Sequence, residues 1–170
     1  MPTEETASPS RRDTLVPDSP RSPGSPSASP SFLDRHLSFL TDRHLGVLTT
    51  MKSNGRPQLS NVSYACDTET RTIRISTTAD RAKTHNLRRD PRSGLYVTTP
   101  EGDSYAVYEG TADLSTVAAT PDDPTVEELI SLYRDVQGEH PDWDEYRAAM
   151  VKDRRLVIRL RVEYAYGWVR

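Results

Sequence analysis

Two strand-like runs meet at Ser53-Asn54-Gly55-Arg56, and that junction constrains the fold more than any other stretch of the chain. An Asn-Gly pair between such runs is a strong hairpin signal, because both residues tolerate the positive φ of a type I′ turn. On one side His44 to Met51 (HLGVLTTM) is mostly apolar. On the other, Pro57 to Ala65 (PQLSNVSYA) has the alternating character of a half-buried strand. The hairpin commits this region to antiparallel pairing, and the same pattern continues. Asp67-Thr68-Glu69-Thr70 turns into Arg71 to Thr77 (RTIRIST), with Ile73 and Ile75 on one face. Gly94 to Thr99 and Ser104 to Leu114 form a further pair across Pro100-Glu101-Gly102-Asp103, and a last strand runs from Arg154 to Trp168.

Helices punctuate this meander. Leu33, His36, Leu37 and Leu40 recur at helical spacing behind Ser31, a suitable N-cap. Asp80 is positioned to cap a short helix, Arg81 to Arg89, which Pro91 stops. Asp123 caps a longer one that has Pro124 at its first position and ends at Gly138. Trp143, Tyr146 and Met150 mark a fourth. Six strands with peripheral helices make this a mainly β, α+β chain. Short antiparallel strands of this kind suggest a small barrel, in which closure removes exposed edges.

Residues 1–30 are of another kind. Seven prolines alternate with serines there, and Leu15 and Val16 are nearly the only large apolar residues. Such a stretch buries too little surface to offset chain entropy, so we expect a disordered tail followed by one domain over 31–170. The formal net charge of -3 argues against a general nucleic-acid binder. No apolar run approaches a membrane span, and the N-terminus lacks the apolar segment of a signal peptide. Cys66 is the single cysteine, which rules out an internal disulfide and suits a reducing cytoplasm. His36, His44, His85 and His140 show no metal-ligand spacing with Cys66 or with carboxylates.

Two segments carry candidate chemistry. Arg81 and Lys83 open the short helix, where free backbone N–H groups and the helix dipole attract an anion, and Thr84 and Asn86 add neutral donors. A solvated basic surface explains the same run, since Arg88 and Arg89 continue it. Gln58, Ser60 and Asn61 place amide and hydroxyl groups along a strand, as a planar heterocycle requires. A half-exposed strand facing water explains these equally. Trp143 and Tyr146 read as packing residues and Cys66 as a small buried one, while Trp168 suits a pocket or an interface equally.

Together, GVLTTMKSNGRPQLSNVSY, RAKTHNLRRDPR, SYAVYEGTADL and LYRDVQGEHPDWDEYRAAMVKDRRLVIRLRVEYAYGW resemble the actinobacterial F420-dependent branch of the split-barrel superfamily that includes pyridoxamine phosphate oxidases. The resemblance covers nearly everything from Phe32 onward and omits the tail. It implies a six-stranded antiparallel split β-barrel and a homodimer with cofactor sites between the subunits. It implies that Arg81 and Lys83 hold the cofactor phosphate, with Asn86 behind them, and that Gln58, Ser60 and Asn61 lie along the ring system. Ser76 and Tyr105 are further carry-overs, Tyr105 lining the pocket of its own or of the partner subunit. The cofactor implied is coenzyme F420, a deazaflavin with an anionic oligoglutamate tail that Lys52, Arg56 and Arg88 would steer; FMN is the alternative. The chain lacks the extended C-terminal region with which true pyridoxamine phosphate oxidases bind vitamin B6. The implied activity is therefore hydride transfer from reduced F420 to an unsaturated organic small molecule such as an enone or a tetrapyrrole. A non-catalytic carrier of F420 or FMN is the rival from a different class.

Overall fold

The hairpin forms where the Asn-Gly signal places it, but with a different turn. In the computed structural model, which describes residues 31–170, the Lys52 amide donates to the Arg56 carbonyl at 2.9 Å and the Gly55 amide to the Lys52 carbonyl at 3.0 Å. Gly55 has φ 78, whereas Asn54 is not among the residues of positive φ. The loop is thus a three-residue connection with a left-handed glycine in place of a type I′ pair. The Asn54 side chain is used instead to accept from the Arg56 amide at 3.1 Å. The Pro/Ser-rich stretch 1–30 lies outside the described residues.

From this hairpin, β1 (Leu45–Met51) and β2 (Pro57–Ser63), the chain continues through β3 (Ala65–Asp67), β4 (Thr72–Thr78), β5 (Arg92–Thr98), β6 (Tyr105–Leu114) and β7 (Arg155–Trp168). Every pairing is antiparallel, and the sheet order is β2-β1-β5-β6-β7-β4-β3. The six expected strands are all present; the second breaks at Tyr64 into β2 and β3. That break closes the fold. β2 and β3 stand at opposite ends of the sheet yet are one continuous run of chain, so the sheet curls until its ends meet at Tyr64. Tyr64 is fully buried there, and its amide donates to the His44 carbonyl at 2.9 Å.

The barrel interior holds Leu48, Ile73, Ile75, Leu95, Val97, Tyr108, Leu156, Ile158 and Leu160. Helix α1 (Phe32–Ser38) and the turn after it add Leu37, Phe39 and Leu40 to this core. Ser31 caps it through a reciprocal bond pair with Asp34, and the Tyr108 hydroxyl donates to the His36 carbonyl at 2.5 Å. A second apolar cluster lies outside the barrel. Val126, Leu129 and Ile130 of α3 (Pro124–Gln137) and Met150 of α4 (Trp143–Lys152) pack on Val157 of β7. Asp123 caps α3 by accepting from the Val126 amide at 2.9 Å, and Gly138 ends it at φ 84. Two arginines of the sheet clamp α3 in place. Arg159 grips Glu128 with two nitrogens, and Arg74 donates to Asp135 at 2.5 Å.

Candidate functional site

Helix α2 (Ala82–Arg89) follows β4, as the spacing of its residues requires, but its start differs from expectation. Arg81 is the N-cap residue and makes no side-chain cap. Asp80 instead accepts from the Thr78 hydroxyl at 2.5 Å, which draws its carboxylate away from the helix amides. Thr84 is buried and donates to the Thr78 carbonyl at 2.8 Å, tying the first turn to the end of β4.

A cavity of about 340 Å³ lies between this helix, strands β2, β4 and β7, and the α3–α4 hairpin. Asn61, Ser76 and Lys83 all line it. Its remaining polar lining includes Arg155, Gln137, Tyr133 and Tyr146, and among the described residues no Asp or Glu lines it. Lys83 is half-buried, and burial, reinforced by the Arg81 charge, holds its ammonium pKa below the ordinary value. Such a group favours an anion, which restores the lost solvation. Arg155 donates to the Ser76 hydroxyl at 3.1 Å.

Gln58 and Asn86 meet each other. The Asn86 amide donates to Gln58 Oε1 at 2.8 Å and to the Thr50 hydroxyl at 3.0 Å, while its oxygen accepts from Arg89 at 3.2 Å. Both side chains therefore fasten α2 to the β1–β2 hairpin. Ser60, half-buried, shares their face of β2, opposite Leu48 in register. Asn61 points the other way, and with Val62 it lines both the cavity and a neighbouring groove of about 630 Å³. That groove is largely apolar, with Leu45, Val47 and Tyr96 in its walls and His44 at one end. Arg81 is exposed at the mouth of α2. Tyr105 lines neither space; it lies on an open outer face, with its ring 6.0 Å from that of Tyr96 in the groove wall and opposite Trp168 in register.

The α3–α4 hairpin forms the roof of the cavity. Tyr133, His140, Trp143 and Tyr146 stack there with ring centroids 5.1 to 5.8 Å apart. The Tyr146 hydroxyl donates to the Leu129 carbonyl at 3.1 Å, and burial pushes its pKa up to about 12. These rings are packing residues, as their spacing suggests. Burial likewise pushes the Cys66 thiol up to about 11, so it is no nucleophile at neutral pH. Among the described residues no group of three His, Cys, Asp or Glu is placed to hold a metal, and no helix is long and apolar enough to cross a membrane. Arg155, Tyr133 and Gln137 escaped the sequence pattern. Arg154-Arg155 is one of three adjacent basic pairs in this chain, and only the register of β7 distinguishes it.

A curled antiparallel barrel of this kind has known counterparts. The family model described as pyridoxamine 5'-phosphate oxidase matches residues 32–169. The chain belongs to this family. Among curated members, the F420H(2)-dependent biliverdin reductase of Mycobacterium tuberculosis is 30% identical over 135 residues, 79% of this chain and 86% of the relative. Among solved structures of the fold, a conserved hypothetical protein of Mycobacterium tuberculosis superposes with a TM-score of 0.62 at 24% identity, covering 81% of this chain and 84% of that one. An F420 reductase gives 0.58 at 24% identity, covering 76% and 94%. The split barrel of the pyridoxamine 5'-phosphate oxidase family is thus the architecture of this chain.

Proposed function

We propose that this chain is an F420-dependent oxidoreductase that reduces an unsaturated organic small molecule. The observation that carries the proposal is Lys83, half-buried beside Arg81 in a cavity that also holds Asn61 and Ser76 and has no acidic residue among its described lining. The 30% identical relative is named for F420H(2)-dependent reduction, which favours the deazaflavin over FMN. The donor set fits a phosphate: Lys83 and Arg81 supply charge, and Ser76 a hydroxyl. When bound, the reduced cofactor supplies a hydride.

The chain's own residues bind and orient. Asn61 offers an amide where cavity and groove meet, and Ser60 lies on the other face of the same strand. Gln58 and Asn86 act by fixing α2, and through it Lys83. The apolar groove beside Leu45, Val47 and Tyr96 suits a flat conjugated substrate, with tetrapyrroles of the biliverdin type as one candidate class. We assign the dimer to the open aromatic face, where Tyr105, Tyr164, Tyr166 and Trp168 are all exposed, since monomers rarely leave a contiguous apolar patch bare. A second copy there brings Tyr105 to the subunit boundary. A cytoplasmic location accords with the lone inert thiol.

Absorption titration with F420, and separately with FMN, tests the assignment. F420 is expected to bind, and Lys83→Ala to weaken it roughly tenfold to a hundredfold, the range for a lost bond to a charged group. Tight FMN binding with none of F420 would overturn the cofactor choice. Failure of the pre-reduced complex to turn over any conjugated candidate would favour the carrier reading.

A further inference from the structure

Arg155 is the first residue of β7, and the turn that delivers it is strained. Arg154 holds φ 53, the left-handed region that costs a non-glycine residue about 1 kcal/mol. Backbone bonds pin the turn in this state: the Arg154 amide donates to the Val151 carbonyl at 3.0 Å, and the Arg154 carbonyl accepts from the Ala79 amide at 3.0 Å. Strain of this kind persists only where the surroundings impose it, and it often marks a site. Here it puts the Arg155 guanidinium on the same cavity as Lys83.

The guanidinium is poorly matched by the protein around it. Nη1 donates to Ser76 Oγ at 3.1 Å. Nε is buried and has no hydrogen-bond acceptor, and the Asp153 carboxylate approaches it only to 3.9 Å, beyond bonding reach. An arginine offers five N–H donors in a planar fork. Two cations from different elements, α2 and β7, therefore line one cavity that has no Asp or Glu among its described lining residues. Ser76 accepts from Arg155 and keeps its own hydroxyl proton to give.

We propose that Arg155 and Ser76, facing Lys83, form a two-sided grip for a phosphate-sized oxyanion, roofed by the α3–α4 hairpin. The proposal rests on the assignment of this cavity to the cofactor's phosphate and adds its second wall. A guanidinium fork holds two oxygens at once, while the lysine adds a point charge. The same chemistry would hold the carboxylate of an organic substrate, so the test separates the two sources.

Arg155→Ala, Arg155→Lys and Ser76→Ala are compared with Arg161→Ala, an exposed arginine on the same strand. F420 affinity is read by fluorescence quenching, inorganic phosphate by competition against F420 and by thermal protection, and folding by circular dichroism. Arg155→Ala is expected to lower the affinity for both F420 and inorganic phosphate at least tenfold. Arg155→Lys recovers only part, because it restores charge without the fork, and Arg161→Ala changes nothing. If Arg155→Ala does not fold, Arg155→Lys and Ser76→Ala carry the same test with smaller losses. Unchanged affinity for both probes in the folded variants overturns the grip. Unchanged F420 affinity with a raised KM for the organic substrate also overturns it, and gives the site to a substrate carboxylate. If the wild-type protein binds neither F420 nor FMN, yet inorganic phosphate protects it through Arg155, the cofactor assignment fails and the grip stands.

Discussion

The outer surface of the barrel has two halves, and β7 runs through both. Its first half turns Arg155, Val157 and Arg159 outward, beneath or beside α3 and α4. Its second half turns Tyr164, Tyr166 and Trp168 outward, where they are 58%, 41% and 60% exposed. A single bulge separates the two. Up to Val162 the even-numbered residues, Leu156, Ile158, Leu160 and Val162, fill the barrel; beyond it Ala165 does. β6 pairs Glu109 with Tyr164 but Gly110 with Val162, which leaves Glu163 as the extra residue. A one-residue slip moves every following side chain to the other face. Without it, three large aromatics would point into an interior that is already filled. One strand thus contributes to a covered cationic cavity at one end and to a bare aromatic face at the other. The two ends differ in what covers them: the α3–α4 hairpin roofs the cavity, while among the described residues nothing covers the aromatic face.

The change expected to break this comparison most severely is Gly110→Ala. A Cβ at Gly110 would lie 1.8 Å from the Arg161 carbonyl oxygen, a clash with backbone that no rotamer relieves. The bulge must shift, and the aromatic face with it. We expect a loss of about 3 kcal/mol, the upper end of the ordinary range for point substitutions, seen as a lower melting temperature or an insoluble product. A variant with wild-type melting and unchanged oligomeric state would show that the β6–β7 register is not set by this glycine.

Trp168→Glu acts on the aromatic half alone. Loss of a large aromatic anchor at an interface costs about 2 kcal/mol, so association should weaken roughly thirtyfold. Light scattering is expected to show the proposed dimer giving way to monomer at micromolar concentration. Binding of inorganic phosphate is expected to survive, because Lys83, Ser76 and Arg155, which line the cavity, lie away from Trp168. A monomeric wild-type protein would remove the proposed dimer, and a variant that stays dimeric would put the interface elsewhere.

Much of this was legible wherever the physics is local. Ser31, Asp123, Pro124 and Gly138 cap and stop their helices because a cap needs only its next few amides. The strands were readable from alternation, and Lys83, Ser76 and Asn61 do share one cavity. Departures appear where distant segments decide. The break at Tyr64 follows from sheet closure, and the bulge at Glu163 from the register with β6. Asp80 lost its capping role to Thr78, a competition that residue identity does not resolve. Gln58 and Asn86 are spent on each other because α2 docks on the hairpin. Tyr105 turns outward beside Tyr96 because strand alternation on β6 puts it there. Arg155 reaches Ser76 across 79 positions of sequence, so nothing in its neighbourhood marked it as part of a site.

The mildest change sharpens the comparison from the cavity side. Lys83 carries a pKa below its ordinary 10.5, with burial as the first cause and the Arg81 charge as the second. Both disfavour the ammonium, and the ammonium is the form that holds an anion. Affinity for F420 or inorganic phosphate should therefore be full near neutrality and decline as pH rises through the lowered value, sooner than a solvent-exposed lysine would allow. A bound anion favours the charged form and lifts the pKa again. Between the free and bound values, binding must accordingly take up protons. Calorimetric titrations in buffers of differing ionisation enthalpy, from about pH 7 to about pH 10, read that uptake directly. In Lys83→Arg the guanidinium stays charged throughout, so the decline and the proton uptake should both vanish even if affinity is lower. A wild-type profile that stays flat, or one that Lys83→Arg reproduces, would remove Lys83 from the anion's contacts and leave Arg155 to hold it alone.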